Sequence, residues 1–172
     1  MGGIINLALR GLGLLWTLLI TALIGNVIAN NNNARSSAES AVNFTMFVAV
    51  LSWLALLYGL AASFMSSLAR PLIMLPLDGL ATFFTFIAAI VLAAKLGVPN
   101  CGSINRDDHS RSWIAFGSDN DEKRCREIQA STAFMWFLWA CFVGCLFFTV
   151  KAWRGGYSGG SVRSSRPAMS QV

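Results

Sequence analysis

The chain has 172 residues, of which 55% are hydrophobic and only 12% charged, with a net charge of +5 at pH 7 and a mean hydropathy of +0.59. Soluble domains carry about 25% charged residues, so this composition excludes an ordinary soluble globular protein. The positive balance does not point to nucleic acid, because no basic patch stands on a foldable soluble domain.

The apolar residues are clustered. No charged side chain occurs from Gly11 to Ala34, from Ser40 to Ala69 or from Ile128 to Val150, and the stretch from Pro71 to Ala94 is broken only by Asp78. Each run exceeds the roughly 18 residues that mark a membrane-span candidate. The sequence predicts an all-α fold, a four-transmembrane-helix bundle over residues 1–154, with spans at about 8–30, 42–69, 71–95 and 128–152. A disulfide-closed extracellular loop is expected over 96–127 and a disordered cytosolic tail over 155–172. The first apolar run is longer than the roughly 7–15 residues of a signal-peptide core, so it reads as a signal-anchor.

In the first span, Gly13, Thr17, Thr21 and Gly25 recur four apart and share one helix face, where small side chains let another backbone approach closely. The second span repeats the stride with Ala55, Gly59, Ser63 and Ser67, and the third with Ala81, Thr85, Ala89 and Ala93. Such faces suit packing inside the bundle or a homo-oligomer contact. Arg70-Pro71 turns the chain with almost no loop, which makes spans two and three antiparallel neighbours.

Asp78 is read as the one formal charge inside a span, and an intramembrane carboxylate is a functional candidate by default. Pro71 and Pro76 are expected to delay the regular helix and leave Asp78 near its first turn, paired with polar neighbours or helix-end amides. The alternative is a small transporter or channel with Asp78 on its pathway. That would require a second intramembrane ionisable group, and none is evident in the sequence.

The long loop holds Cys101, Cys125, the lone His109 and most of the acids. Neither cysteine sits in a Cys-x-x-Cys pair and four metal ligands are not at hand, so a disulfide is expected rather than zinc. Its apolar island, Trp113-Ile114-Ala115-Phe116, is expected to dip into the membrane interface. Cys141 and Cys145 lie within the fourth span as packing residues, with acylation of Cys145 an alternative. A single histidine in a charged loop supplies no catalytic constellation and no cofactor motif, so an enzyme is the least favoured class.

Four spans place both termini on one side. That side carries Arg10, Arg70, Lys151, Arg154, Arg163 and Arg166 without an acid, while the other mixes basic residues with acids and holds the cysteine pair. A purely cationic surface matches anionic cytosolic lipid and a disulfide matches an oxidising compartment, so both termini are expected in the cytosol. In the tail, Lys151, Arg154, Arg163 and Arg166 are candidate lipid contacts. The closing Ser170-Gln171-Val172 has the form captured by carboxylate-binding grooves.

Val42-Asn43-Phe44, Leu77-Asp78, Phe83-Phe84-Thr85-Phe86, Cys125-Arg126, Gln129-Ala130 and the closing Ser170-Gln171-Val172, taken in order, resemble the fungal non-classical export proteins, small four-span members of the MARVEL-domain group. The resemblance implies a non-enzymatic plasma-membrane protein that organises furrow-like domains (eisosomes), responds to sphingolipid status and is linked to unconventional secretion. Its expected partners are membrane lipids, sphingolipid or sterol, further copies of itself and cortical scaffold proteins. A vesicle-trafficking role within the same group is the remaining alternative.

Overall fold

A computed structural model describes residues 2–32, 36–65, 71–97, 100–102, 104 and 113–158. Ser67, Arg70, His109, Arg163, Arg166, Ser170, Gln171 and Val172 lie outside the described residues.

Among the described residues there are four helices and no strand: α1 (Gly2–Ala29), α2 (Ser36–Phe64), α3 (Pro71–Leu96) and α4 (Asp121–Ser158). All four are long and apolar enough to cross a membrane. Pro71 opens α3, a position where its missing N–H would be unsatisfied in any case. The helix stops at Gly97, whose φ of 72° turns the chain out and whose N–H still reaches the Ala93 carbonyl at 2.9 Å. Asn120 caps α4, its side chain accepting the Lys123 N–H at 3.0 Å, and Asp121 and Glu122 place negative charge at the positive end of the helix dipole.

The helices form a closed ring. α1 packs on α2 and α4, α3 packs on α2 and α4, and the backbones of the diagonal pairs stay apart. Between them Ile20, Ile24, Val48, Leu56, Leu92, Met135, Leu138 and Phe142 fill the interior with no more than trace exposure. The hydroxyls of Thr17, Thr45, Ser52, Thr85 and Ser131 each donate to the carbonyl four residues back, so the polar atoms of these inward-facing residues are satisfied within their own helices.

Several boundaries differ from the expectation. α1 starts at Gly2 and not near residue 8, and α4 starts inside the expected loop and continues through Ser158, so residues 155–158 of the expected disordered tail are helical. α3 runs unbroken through Pro76, which places Asp78 two turns inside the helix, beyond the free amides of its first turn.

Candidate functional site

At the end of the bundle where α1 begins and α4 ends, one polar cluster joins all four helices. Arg10 of α1 is fully buried, and its Nη2 donates to Asp78 Oδ2 of α3 at 2.8 Å while Nη1 reaches Asp78 Oδ1 at 3.3 Å. The same Nη1 lies 3.5 Å from the Ala55 carbonyl of α2. From α4, Thr149 Oγ1 donates to Asp78 Oδ2 at 3.0 Å. The guanidinium has room only because residue 59 is a glycine: a methyl group there would overlap it, with Nε 2.7 Å from the added carbon.

Two sequence expectations are thereby corrected. Arg10 is not part of a cationic membrane surface, and the third span's carboxylate is not the only charge within the bundle. Both residues sit about 10–12 Å along their helices from the same end, at 1.5 Å per residue, so they meet at one depth. That equality of depth shows only once α1 is seen to begin at Gly2. Thr149 gave no signal in the sequence, because a lone threonine in a span normally bonds its own backbone.

Each buried charge offsets part of the other's desolvation cost. The carboxylate is held by both terminal nitrogens of the guanidinium and by one hydroxyl, a charge-assisted arrangement that fixes its position. Arg10 Nε and Asn6 Oδ1, one turn apart on α1, are buried with no protein partner.

At the opposite, loop end a second arginine is buried. Arg124, 2% exposed, donates from Nε to the Ile114 carbonyl at 3.0 Å and from Nη1 to Asn31 Oδ1 at 3.2 Å. The loop's apolar island does not lie in the interface: Trp113, Ile114 and Ala115 are buried and cover the end of the bundle, with Trp113 Nε1 donating to the Leu96 carbonyl at 2.8 Å. The disulfide Cys101–Cys125, Cα to Cα 5.7 Å, ties the segment after α3 to the first turns of α4. Asn26 Nδ2 donates to Glu127 Oε1 at 2.5 Å and Asn32 Nδ2 to Asp119 Oδ1 at 3.0 Å, which draws α1 against the start of α4.

Of the small-residue positions, Gly13, Thr17, Ala55, Gly59, Ala81, Thr85 and Ala89 are buried, and Thr21, Gly25 and Ala93 are half-buried. Ser63 departs from its expected face: it is exposed, its hydroxyl turned back onto the Gly59 carbonyl at 2.9 Å. Cys141 and Cys145 are buried and free. Lys151 and Arg154 are exposed on the last turns of α4. Aromatic rings cover three of the four seams: Trp16 on Phe134 and Phe137, Phe84 with Phe44 and Phe47, and Phe86 with Trp136 and Trp139. Among the described residues no group of histidine, cysteine and acidic side chains is assembled to hold a metal.

Four spanning helices in a closed ring, with charge buried at both ends and apolar side chains outside, define a multi-pass α-helical membrane protein. The MARVEL family model, described as a membrane-associating domain, matches residues 3–148. The chain is 35% identical over 159 residues to "Non-classical export protein 2 homolog 1" of Saccharomyces cerevisiae, covering 90% of this chain and 83% of that one. It is 31% identical over 174 residues to "Non-classical export protein 2" of the same yeast, covering 95% of both. To "Non-classical export protein 102" of Candida albicans it is 37% identical over 92 residues, about half of each chain. The chain belongs to the MARVEL family, within its fungal non-classical export branch. No solved structure matches it.

Proposed function

We propose that the protein is a non-enzymatic organiser of the plasma membrane, holding furrow-like domains of the eisosome type, responding to sphingolipid status and linked to unconventional secretion. Both termini lie in the cytosol in this reading. The carrying observation is the division of the bundle into an interior that holds the Arg10–Asp78 pair and an exterior of exposed apolar side chains, including Leu15, Leu18, Phe47, Leu54, Phe83, Phe137 and Phe147. Such a molecule meets its partners through lipid and through its ends. The exposed Lys151 and Arg154, with the basic residues beyond them, supply charge for anionic lipid or a cortical scaffold. The names of the yeast relatives support the link to export.

Imaging a tagged full-length chain in living cells tests this. Punctate surface patches that disperse when sphingolipid synthesis is blocked are the expected result. Patches indifferent to the block would overturn lipid responsiveness. Residence in internal vesicles would favour a trafficking role, the reading that the breadth of the MARVEL match leaves beside the first.

A further inference from the structure

At the loop end a cavity of about 120 Å³ opens between the last turns of α1 and the first turns of α4, lined in part by Asn26, Asn30, Asp119, Lys123, Arg124 and Glu127. We propose that it holds the headgroup of a zwitterionic phospholipid bearing a primary ammonium group, drawn from the leaflet on the loop side. The proposal goes beyond the organising role and stands whether or not that role is correct.

The lining carries two cations, Lys123 and Arg124, and two anions, Asp119 and Glu127. A bare anion would meet both carboxylates and a bare metal cation would meet both basic groups. A neutral sugar would bring no countercharge to any of the four. A zwitterion answers both signs at once.

The unused hydrogen-bonding capacity has the same form. Asp119 engages Oδ1 with Asn32, and Glu127 engages Oε1 with Asn26, leaving Oδ2 and Oε2 without a hydrogen-bond partner among the described residues. Asn30 donates its amide N–H to Asn26, which leaves its own Oδ1 as a third open acceptor. Three acceptors match the three N–H donors of a primary ammonium. On the basic side, Arg124 spends Nε and Nη1 on Ile114 and Asn31 and keeps Nη2, while Lys123 Nζ lies 3.7 Å from Glu127, too far for a hydrogen bond. These donors suit a phosphodiester.

Size and depth agree. A cavity of about 120 Å³ approaches the roughly 150 Å³ that holds a benzene, which leaves room for an ammonium and its neighbouring atoms with the phosphate at the open mouth. Asn26 and Asn30 stand where the apolar sequence of α1 gives out, the level at which headgroups lie. Below them, Leu23, Leu19 and Trp16 follow Asn26 at helical spacing on α1, and Ala130, Phe134 and Phe137 follow Glu127 on α4, with Trp16 5.4 Å from Phe134 and 5.3 Å from Phe137. An acyl chain can follow that apolar seam directly beneath its own headgroup. A soluble zwitterion would have no use for it.

The test is native mass spectrometry of the full chain, stripped of lipid in detergent and titrated with dioleoyl phosphatidylethanolamine, phosphatidylcholine, phosphatidylglycerol or diacylglycerol. Phosphatidylethanolamine adducts are expected to survive at about fivefold lower lipid concentration than phosphatidylglycerol or diacylglycerol, with phosphatidylcholine between. Asp119→Asn should erase the margin over phosphatidylglycerol, and Lys123→Ser should weaken the phosphatidylethanolamine adduct; both side chains are exposed, so the fold should survive. If either variant loses its helical circular dichroism, Asn30→Leu replaces it and should reduce the same margin. Equal retention of phosphatidylethanolamine and phosphatidylglycerol overturns the proposal, as does a margin unchanged in the folded variants.

Discussion

Arg10 shows how much one buried side chain depends on its surroundings. Its guanidinium needs a carboxylate at the same depth, a carbonyl from α2 and a glycine beneath it, and Asp78, Ala55 and Gly59 provide these. Removing one member of a buried pair leaves the other charge uncompensated. Asp78→Ala or Arg10→Met should therefore lower stability by about 3–5 kcal/mol, while the double variant Arg10→Met with Asp78→Leu should recover most of the loss. Unfolding in mixed detergent micelles measures this, and a strictly additive double variant would contradict the pairing. Two glycines give a sharper contrast. Gly59→Ala should cost about 1–3 kcal/mol because the added methyl meets the guanidinium, whereas Gly11, with nothing within 4 Å of its added carbon, should accept alanine at no cost. In the Arg10→Met background the penalty at residue 59 should shrink.

At the scale of elements, α3 was legible because its apolar run is bounded by a proline that starts helices and a glycine that ends them, and the helix runs over Pro71–Leu96. The start of α4 was not. Its first two turns, Asp121 to Glu127, are almost wholly charged, and they are helical because Asn120 caps them and because Arg124 and Glu127 find partners on α1 and in the loop. The covering segment Trp113 to Ala115 was misplaced for a similar reason: an apolar island reads alike whether it meets lipid or a bundle end, and the Leu96 carbonyl that Trp113 satisfies is invisible in the sequence. Trp113→Ala should cost about 3 kcal/mol or more through the lost ring and the orphaned carbonyl. Replacing both Cys101 and Cys125 by serine should cost about 3 kcal/mol, from the freedom returned to a loop of 24 residues in the unfolded chain. Thermal unfolding of the detergent-solubilised protein checks both, and limited proteolysis should locate the new cleavage between α3 and α4.

The whole molecule is a ring of four helices whose only buried ion pair among the described residues, Arg10 with Asp78, is closed on itself. A carboxylate neutralised by a neighbouring arginine is a poor relay for protons or cations. Liposomes carrying the purified chain should therefore show no ion-dependent flux above empty liposomes, in the wild type or in Asp78→Asn; a flux abolished by that substitution would revive the transporter reading. In cells the protein should remain in the pellet after alkaline carbonate and leave it only with detergent, as the four spans require.

What the sequence by itself determined is the solvent and the number of crossings, because apolar runs of this length are insoluble in water and have their backbones satisfied only as helices in lipid. It also brought out the disulfide and the family, through cysteines without metal partners and short motifs in a fixed order. Only the tertiary structure decided which charges face inward, where α4 begins and what covers the loop end. Those outcomes depend on groups from different helices meeting at one depth and one angle, and a linear pattern carries each helix's own face but not the rotation that its neighbours impose on it.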